Sequence, residues 1–401
     1  MAADIITKTF EFKLRTNKKF VAACEAELEH SRQIYNAALQ ERIECYKLTG
    51  KSLSFVEQSR HLTEARTLPD VKAHLRTIQS DALERLDEAF KAFFKRCAKR
   101  QGQAGFPRFR GKDRYHTLSQ KYEVQRGCPL KGDKLIVPGI GSVRVRLSRE
   151  IEGRVKQLRI TRRADGWFVL LVCDLAKPEP LPKTGQSIGV DVGLTTFATL
   201  SNGEKIENPR HLKAAEKKLT KRQRQLSRKR KGSANRLRAR QRVARTHLHV
   251  ARCRKDFHHK TAKQLVTCFD RIAVEALNVR GMVKNHHLAK AISDVGWSRF
   301  FTITKAKAEN AGREFVKVPA AYTSQTCSRC GHRQKMPLHV RQFVCEKCGL
   351  EICRDVNGSH NVLASSQKLT PVESDSTRGN RNKRVKKTKS VSTDAGGDFL
   401  S

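Results

Sequence analysis

Two Cys-x-x-Cys knuckles, Cys327 with Cys330 and Cys345 with Cys348, stand fourteen residues apart. Thiolates are soft ligands, and four of them close a tetrahedron around one zinc ion. Gly331 and Gly349 follow the two pairs and permit the tight turns a knuckle needs. A shell of four thiolates has no open position, so the expected zinc is structural. His332 and His339 lie within reach in sequence but are not needed to fill it.

A different chemistry begins seven residues after Cys348, at Asp355. A carboxylate is a hard oxygen ligand that suits Mg²⁺ or Mn²⁺ rather than a thiolate-rich site. By itself Asp355 reads as the N-cap of a helix over "DVNGSHNVLASSQK". Two further carboxylates change that. Asp191 sits in the apolar strand "IGVDVG", and Glu275 ends the strand "RIAVE". Strand interiors disfavour charge, so each needs a reason. Asp191, Glu275 and Asp355, two on strands and one on a helix, could converge on a pair of divalent ions. Two such ions about 4 Å apart clamp the attacking water and the leaving oxygen of a phosphodiester.

The elements that must position these groups follow from texture. Residues 5–14 alternate as a strand, with Ile6, Phe10, Phe12 and Leu14 facing a core. Residues 17–104 are helical in pattern; "SDALERLDEAFKAFFKRCAKR" carries one apolar stripe, with Ser80 or Asp81 as its cap. "GFPRFRGKDRY" breaks the helices with Gly and Pro and interleaves Arg108 and Arg110 with aromatics. Short strands dominate from about 115 to 175, with a turn at Asp165-Gly166, which suggests one β-barrel with helices inserted between its strands. A proline-rich linker covers 176–185. The strand pair around Asp191, the Glu275 strand, a helical stretch over about 288–311 and the strand "REFVKVP" make up a second region. The polar, basic segment 367–401 reads as a disordered tail.

Charge names the partner class. The chain has 82 Lys and Arg against 39 Asp and Glu, a formal net charge of +43. Like charges at this density repel in the compact state, and nucleic acid is the natural counterion. The excess is concentrated. Residues 211–260 hold 19 Lys or Arg against Glu216 and Asp256 alone. Leu212, Leu219 and Leu226 recur every seventh residue, so two basic helices joined near Gly232-Ser233 are expected. Arg222, Arg224, Arg228, Arg230, Arg238 and Arg242 would face the nucleic acid, with Arg108 and Arg110. There is no uninterrupted apolar run of about 18 residues, which argues against a membrane partner. The start "MAADIITKTFEFKLRT" lacks a signal-peptide core, so an intracellular protein is expected. The other cysteines at Cys24, Cys45, Cys97, Cys128, Cys173, Cys253 and Cys268 then read as small buried apolar residues.

Taken in order, "LDEAFKAFFKR", "GFPRFRGK", "GVDVGLTTFATLSNG", "RIAVEALNVRGM", "SDVGWSRF", "YTSQTCSRCGHR" and "CEKCGLEICRDVNGSHNVL" resemble the TnpB family of transposon-encoded RNA-guided DNA endonucleases, ancestral to type V CRISPR effectors. The likeness spans roughly residues 8 to 373. It implies a multidomain α+β and α/β chain. The first strand (1–16) and residues 105–180 would form a wedge-type β-barrel, with a helical recognition domain (17–104) inserted. A RuvC (ribonuclease-H-like) nuclease domain over 186–322 would follow, including the basic hairpin 211–260. The zinc ribbon would occupy 323–350 and the last RuvC segment 351–366.

The resemblance makes Asp191, Glu275 and Asp355 the catalytic triad, holding two Mg or Mn ions beside one structural zinc. It implies a guide RNA from the transposon end, a double-stranded DNA target, and one protein chain per RNA. A short target-adjacent motif is read by protein and the rest by base pairing. Phe55, Ser59, Gln79, Ser119 and Gln120 fall where similar proteins contact that motif. A bacterial member would be cytoplasmic and nucleoid-associated, a eukaryotic relative nuclear. The sequence departs from the family at Cys353, where an acid is usual, at Gly358-Ser359, often Ala-Ala, and at Ala276, usually Asp. The alternatives are a nuclease-poor RNA-guided DNA-binding regulator, a small type V CRISPR effector, and a non-enzymatic zinc-ribbon RNA-binding protein. The last does not account for the three carboxylates.

Overall fold

The computed structural model describes residues 5–99, 104–112, 114–121, 128–337 and 339–368. The expected tail beyond 368 lies outside them. They fall into two units. One contains the described residues up to Pro178 together with Lys217–His249, the other Glu179–Glu216 and those from Val250 onward.

In the first unit, β1 (Ile5–Arg15) is followed by α1 (Lys18–Thr49), α2 (Phe55–Ala65), α3 (Pro69–Lys72) and α4 (Arg76–Ala98). Six strands come next: β2 (Thr117–Lys121), β3 (Leu130–Lys131), β4 (Lys134–Val137), β5 (Gly141–Arg146), β6 (Arg154–Arg163) and β7 (Gly166–Ala176). The seven strands form one antiparallel sheet in the order β2-β6-β7-β1-β5-β4-β3. The helices are thus an insertion between β1 and the rest of its sheet. Alternation in β1 buries Phe10, Phe12 and Leu14, while Ile6 is half-buried. Asn17 caps α1 by accepting the Phe20 N–H, and Gly50 ends it with φ 69°. Ser54 and Glu57 form a capping box on α2. Helix α4 starts at Arg76, earlier than the expected caps; Ser80 and Asp81 lie inside it, Asp81 paired with Arg85 at 2.7 Å.

The second unit begins with β8 (Ser187–Val192), β9 (Thr196–Leu200) and β10 (Lys205–Glu207). Along the chain the hairpin helices α5 (His211–Ser227) and α6 (Ala234–Cys268) follow, of which Lys217–His249 belongs to the first unit; then come β11 (Arg271–Glu275), α7 (Val279–Met282), α8 (His286–Val295), α9 (Trp297–Asn310) and β12 (Glu314–Val318). The last described elements are β13 (Gln342–Val344), β14 (Glu351–Cys353) and α10 (Arg354–Gln367). The main sheet runs β10-β9-β8-β11-β12, antiparallel on the β10 side and parallel from β8 to β12. The helical stretch expected over 288–311 is two helices, broken where Gly296 takes φ 68°. Among the described residues no helix is long and apolar enough to cross a membrane.

Strand alternation decides what each sheet face carries. Ile188 and Val190 of β8 and Ile272 and Val274 of β11 join a core with Leu265 and Val266 of α6 and Phe300 and Phe301 of α9. Ala273, Val316 and Val318 face the other way, onto Val362 of α10. Gly189 and Asp191 share that second face by period two, as does Glu275. Of the seven scattered cysteines only Cys24 and Cys173 are buried. Cys97, Cys128 and Cys268 are exposed, contrary to the expectation, because each follows the last apolar turn of its element or lies in a loop.

Candidate functional site

The three carboxylates arrive from three elements. β8 and β11 run parallel with Val190 opposite Val274, so Asp191 and Glu275 are the next residues on neighbouring strands. Asp355 lies in the first turn of α10, whose N-cap is Cys353 without a side-chain hydrogen bond. It is therefore not the N-cap aspartate that its sequence alone suggests. Helix α10 reaches the strands because glycine lets it. A Cβ on Gly189 would stand 2.0 Å from the Ser359 carbonyl oxygen, and one on Gly358 would stand 3.2 Å from Asp191 Oδ2.

The electrostatics follow from this crowding. Burial raises the Asp191 carboxyl well above the usual carboxylate range, and the charges of Glu275 and Asp355 raise it further; Arg354 and the Val192 N–H oppose them. Glu275 is 8% exposed. Burial raises its carboxyl too, while the Thr323 hydroxyl, donating to Oε1 at 2.5 Å, pulls it back. Asp355 is more open and lies 3.8 Å from Arg341. A buried carboxylate whose charged form is disfavoured by two neighbouring carboxylates is one that a cation would relieve.

The cysteines form a separate centre. The four Sγ atoms lie within 4.8 Å of one another, Cys327 to Cys348 at 3.7 Å and Cys330 to Cys345 at 3.6 Å. Zinc–sulfur bonds of about 2.3 Å in a tetrahedron require sulfur–sulfur edges of about 3.8 Å, so the donor set fits one zinc ion. Gly331 and Gly349 take φ 72° and 66°, the left-handed turn each knuckle needs. β13 and β14 pair beside the cluster, and Phe343 is fully buried against it. Cys353 is not one of the four and stays outside the shell.

The basic hairpin is present, with its turn at 228–233 between α5 and α6. Arg224, Arg228, Arg230, Arg238 and Arg242 are exposed. Arg222 is not free in the same way, since its guanidinium donates to the Arg242 carbonyl and to Thr246 Oγ1 and so clips the two helices together. Arg236 does the same at the turn, donating to the Leu226 and Lys229 carbonyls. Arg108 and Arg110 are exposed, Arg110 lying over the Tyr35 ring. The five residues aligned with motif reading divide. Phe55 and Ser59 are partly exposed on α2. Gln79, Ser119 and Gln120 are 0%, 3% and 7% exposed. Gln79 accepts from Arg66 and donates to the Val71 carbonyl, and Ser119 accepts from Arg85 at 2.8 Å.

The family model described as a probable transposase of the IS605 OrfB type matches residues 170–286. A Cas12f1-like TNB domain matches 297–362, which includes the four cysteines and Asp355. A model described as a helix-turn-helix domain matches 1–51, where the chain forms a strand and one 32-residue helix. A Streptomyces pristinaespiralis protein named "Putative RNA-guided DNA endonuclease" is 33% identical over 369 residues, covering 90% of this chain and 89% of that protein. The chain belongs to the TnpB family. Another TnpB-family relative, InsQ of Escherichia coli K12, is 28% identical over 387 residues, 89% of this chain and 92% of its own. The fold of this TnpB-family chain is also similar to that of a solved Cas12f1–sgRNA–target DNA complex. The TM-score is 0.56 at 14% identity, over 89% of this chain and 98% of that one.

Sequence reasoning missed the residues that hold the site together. Thr323, Asn357, Asn361 and Gly189 carry no charge and no metal-ligand signature. The signals available were a glycine two residues before a strand carboxylate and two asparagines one helical turn apart.

Proposed function

We propose that the chain is an RNA-guided DNA endonuclease of an insertion-sequence transposon, cutting DNA next to a short target-adjacent motif by two-metal-ion phosphodiester hydrolysis. The observation that carries this reading is the convergence of Asp191, Glu275 and Asp355 on the sheet face that α10 covers. The names of the relatives agree with it. We read the mixed sheet as a RuvC nuclease domain, the antiparallel sheet as the wedge barrel, and α1–α4 as its inserted recognition helices.

Mg²⁺ or Mn²⁺ ions held by the three carboxylates would activate water and neutralise charge on the phosphodiester. The chain's own residues do the rest. Glu275 is buried and hydrogen-bonded, so it would be the fixed ligand, and Asp355 is the more open acid. The arginines of α5 and α6 bind phosphates of a guide RNA and its DNA target without reading sequence. The four cysteines would hold a structural zinc. We assign one chain per RNA, in the cytoplasm of a bacterial host or the nucleus of a eukaryotic one.

The test pairs recognition with chemistry. RNA that co-purifies with the protein is sequenced and used to design matched and mismatched DNA. Asp191→Ala and Glu275→Ala should bind matched DNA and fail to cut it. Wild-type cutting by either variant overturns the nuclease assignment. A nuclease-poor regulator is disfavoured because all three carboxylates are present and brought together.

A further inference from the structure

Glu275 is buried, and one of its oxygens is held by a side chain from the segment that leads into the zinc knuckles. Thr323 Oγ1 donates to Glu275 Oε1 at 2.5 Å, and Thr323 itself is 8% exposed. The residue before it, Tyr322, takes φ 65°, the left-handed region that a bulky side chain rarely adopts. Such backbone persists only where the surroundings over-determine it. Here they do. The Tyr322 carbonyl accepts from the Gln325 and Thr326 N–H groups. Asn361 Nδ2 donates to the Thr323 carbonyl at 2.8 Å and to the Thr326 carbonyl. Asn357, fully buried, donates to the Thr326 carbonyl at 2.8 Å and accepts the Ser328 N–H at 2.9 Å. Cys327 lies within this clamped stretch, so the first knuckle and Thr323 are one rigid piece. Asn357 and Asn361 belong to α10, the helix that also carries Asp355.

We infer that Thr323 is a positioning residue for the nuclease, its hydroxyl fixing the Glu275 carboxylate for divalent-metal binding, and that the first cysteine knuckle and α10 together hold Thr323 in place. This rests on the reading of Glu275 as a metal-binding carboxylate. The physical argument is general. A ligating carboxylate leaves one oxygen able to rotate away, and a hydrogen bond to the other oxygen fixes its orientation; loss of such outer partners costs about 10- to 100-fold in metal affinity or activity. The zinc knuckle then has a second role beyond its own fold, as the far anchor of a catalytic carboxylate.

The test uses the full chain and separates hydroxyl from methyl. Thr323→Val keeps shape and removes the donor; Thr323→Ser keeps the donor and removes the methyl. Mn²⁺ binding to the RNA-free chain is titrated by the paramagnetic signal of free Mn²⁺, with Asp191→Ala as background. The Mg²⁺ concentration for half-maximal cleavage is measured on the guide-RNA complex. Thr323→Val should weaken Mn²⁺ binding and raise the Mg²⁺ requirement by about 10- to 100-fold, and Thr323→Ser should restore both to within about threefold. Zinc content stays at one per chain in both. If Thr323→Val falls short of one zinc, Thr323→Ser alone decides: metal affinity as weak as in the valine variant means packing, not the hydroxyl, is what counts. Wild-type values in a zinc-loaded Thr323→Val, with Asp191→Ala inactive, overturn the inference and leave the nuclease reading standing. Full cleavage by Asp191→Ala overturns the nuclease reading itself.

Discussion

Gly189 and Ser359 touch where strand meets helix: a Cβ on Gly189 would stand 2.0 Å from the Ser359 carbonyl oxygen and 2.9 Å from the Leu363 nitrogen. Neither atom is a flexible side chain, so alanine at 189 must push α10 off β8. Gly189→Ala should cost about 1–3 kcal/mol of stability, the range for overpacking, and should abolish cleavage because Asp355 moves with α10. Gly105→Ala, where nothing lies within 4 Å and φ is ordinary, should stay within about 0.5 kcal/mol. Denaturant melts of the two variants check the contrast.

Asp191 is buried and held among like charges, and both oppose folding of the metal-free chain with that carboxylate charged. Asp191→Asn should therefore raise the melting temperature without divalent metal while removing cleavage. The sign of the pH dependence follows. With its folded pKa raised, Asp191 imposes no penalty below the ordinary carboxylate range. The penalty grows as pH rises through that range and is constant above the raised value. The stabilisation by asparagine should shrink on acidification. Calorimetry at several pH values in chelator decides it, and an equal gain at all pH values would contradict the electrostatic origin.

Much of this centre was legible in the sequence because its signals are local. Two knuckles fix their own geometry, and a carboxylate at the end of an apolar strand is conspicuous. What could not be read is what long-range packing decides. Gln79 looks like a polar residue available to DNA, yet it is fully buried because its amide completes a network with Arg66, His30 and the Val71 carbonyl. Thr323 lies inside a recognisable motif, but only the fold brings its hydroxyl to Glu275, 48 residues away in the chain. The early start of α4, at an N-cap Leu75 with no side-chain hydrogen bond, was likewise not written in a capping residue, whereas the break between α8 and α9 follows a left-handed glycine cap at Gly296.

Two buried histidines set an acid limit to stability. Burial lowers His30 to about 4, helped by His74 and Arg66, and lowers His258 to about 4 against the bond from its Nε2 to the Val295 carbonyl. Both are neutral in the folded chain and take up protons first when unfolded. Stability is therefore full above about pH 6.5 and falls as pH drops toward 4, by about 2 kcal/mol per histidine at pH 5. Urea melts at pH 7 and pH 5 measure it, and glutamine at either position should flatten the acid limb.

The two metal centres should separate cleanly. Asp355→Ala should keep one zinc per chain and RNA binding but lose DNA cleavage. Cys345→Ala should lose zinc, because its thiol is a donor that burial alone would raise but that the Cys348 and Lys347 N–H groups draw down to about 6. Cys353→Ala should keep zinc and most activity. Elemental analysis decides it: zinc lost from Asp355→Ala, or retained at one per chain in Cys345→Ala, would show that the centres are not separate.

Arginines of the hairpin should divide into binders and clips. Arg224, Arg228, Arg238 and Arg242 are exposed, and in duplex contacts each neutralised phosphate contributes about 0.9 to the log–log salt slope, roughly 0.7 on single strands. Reversing the charge of these four should weaken RNA binding and flatten that slope by roughly 3. Arg222 is different, because its guanidinium is spent on the Arg242 carbonyl and Thr246. Arg222→Ala should leave the salt slope within about one unit of wild type and lower the thermal stability of the hairpin instead. Hydrogen exchange across 217–249 reads the second effect and filter binding at graded salt the first. A slope unchanged by the four reversals would mean that the polyanion lies elsewhere on the chain. A slope reduced as much by Arg222→Ala as by the four would mean that the clip opens when RNA binds.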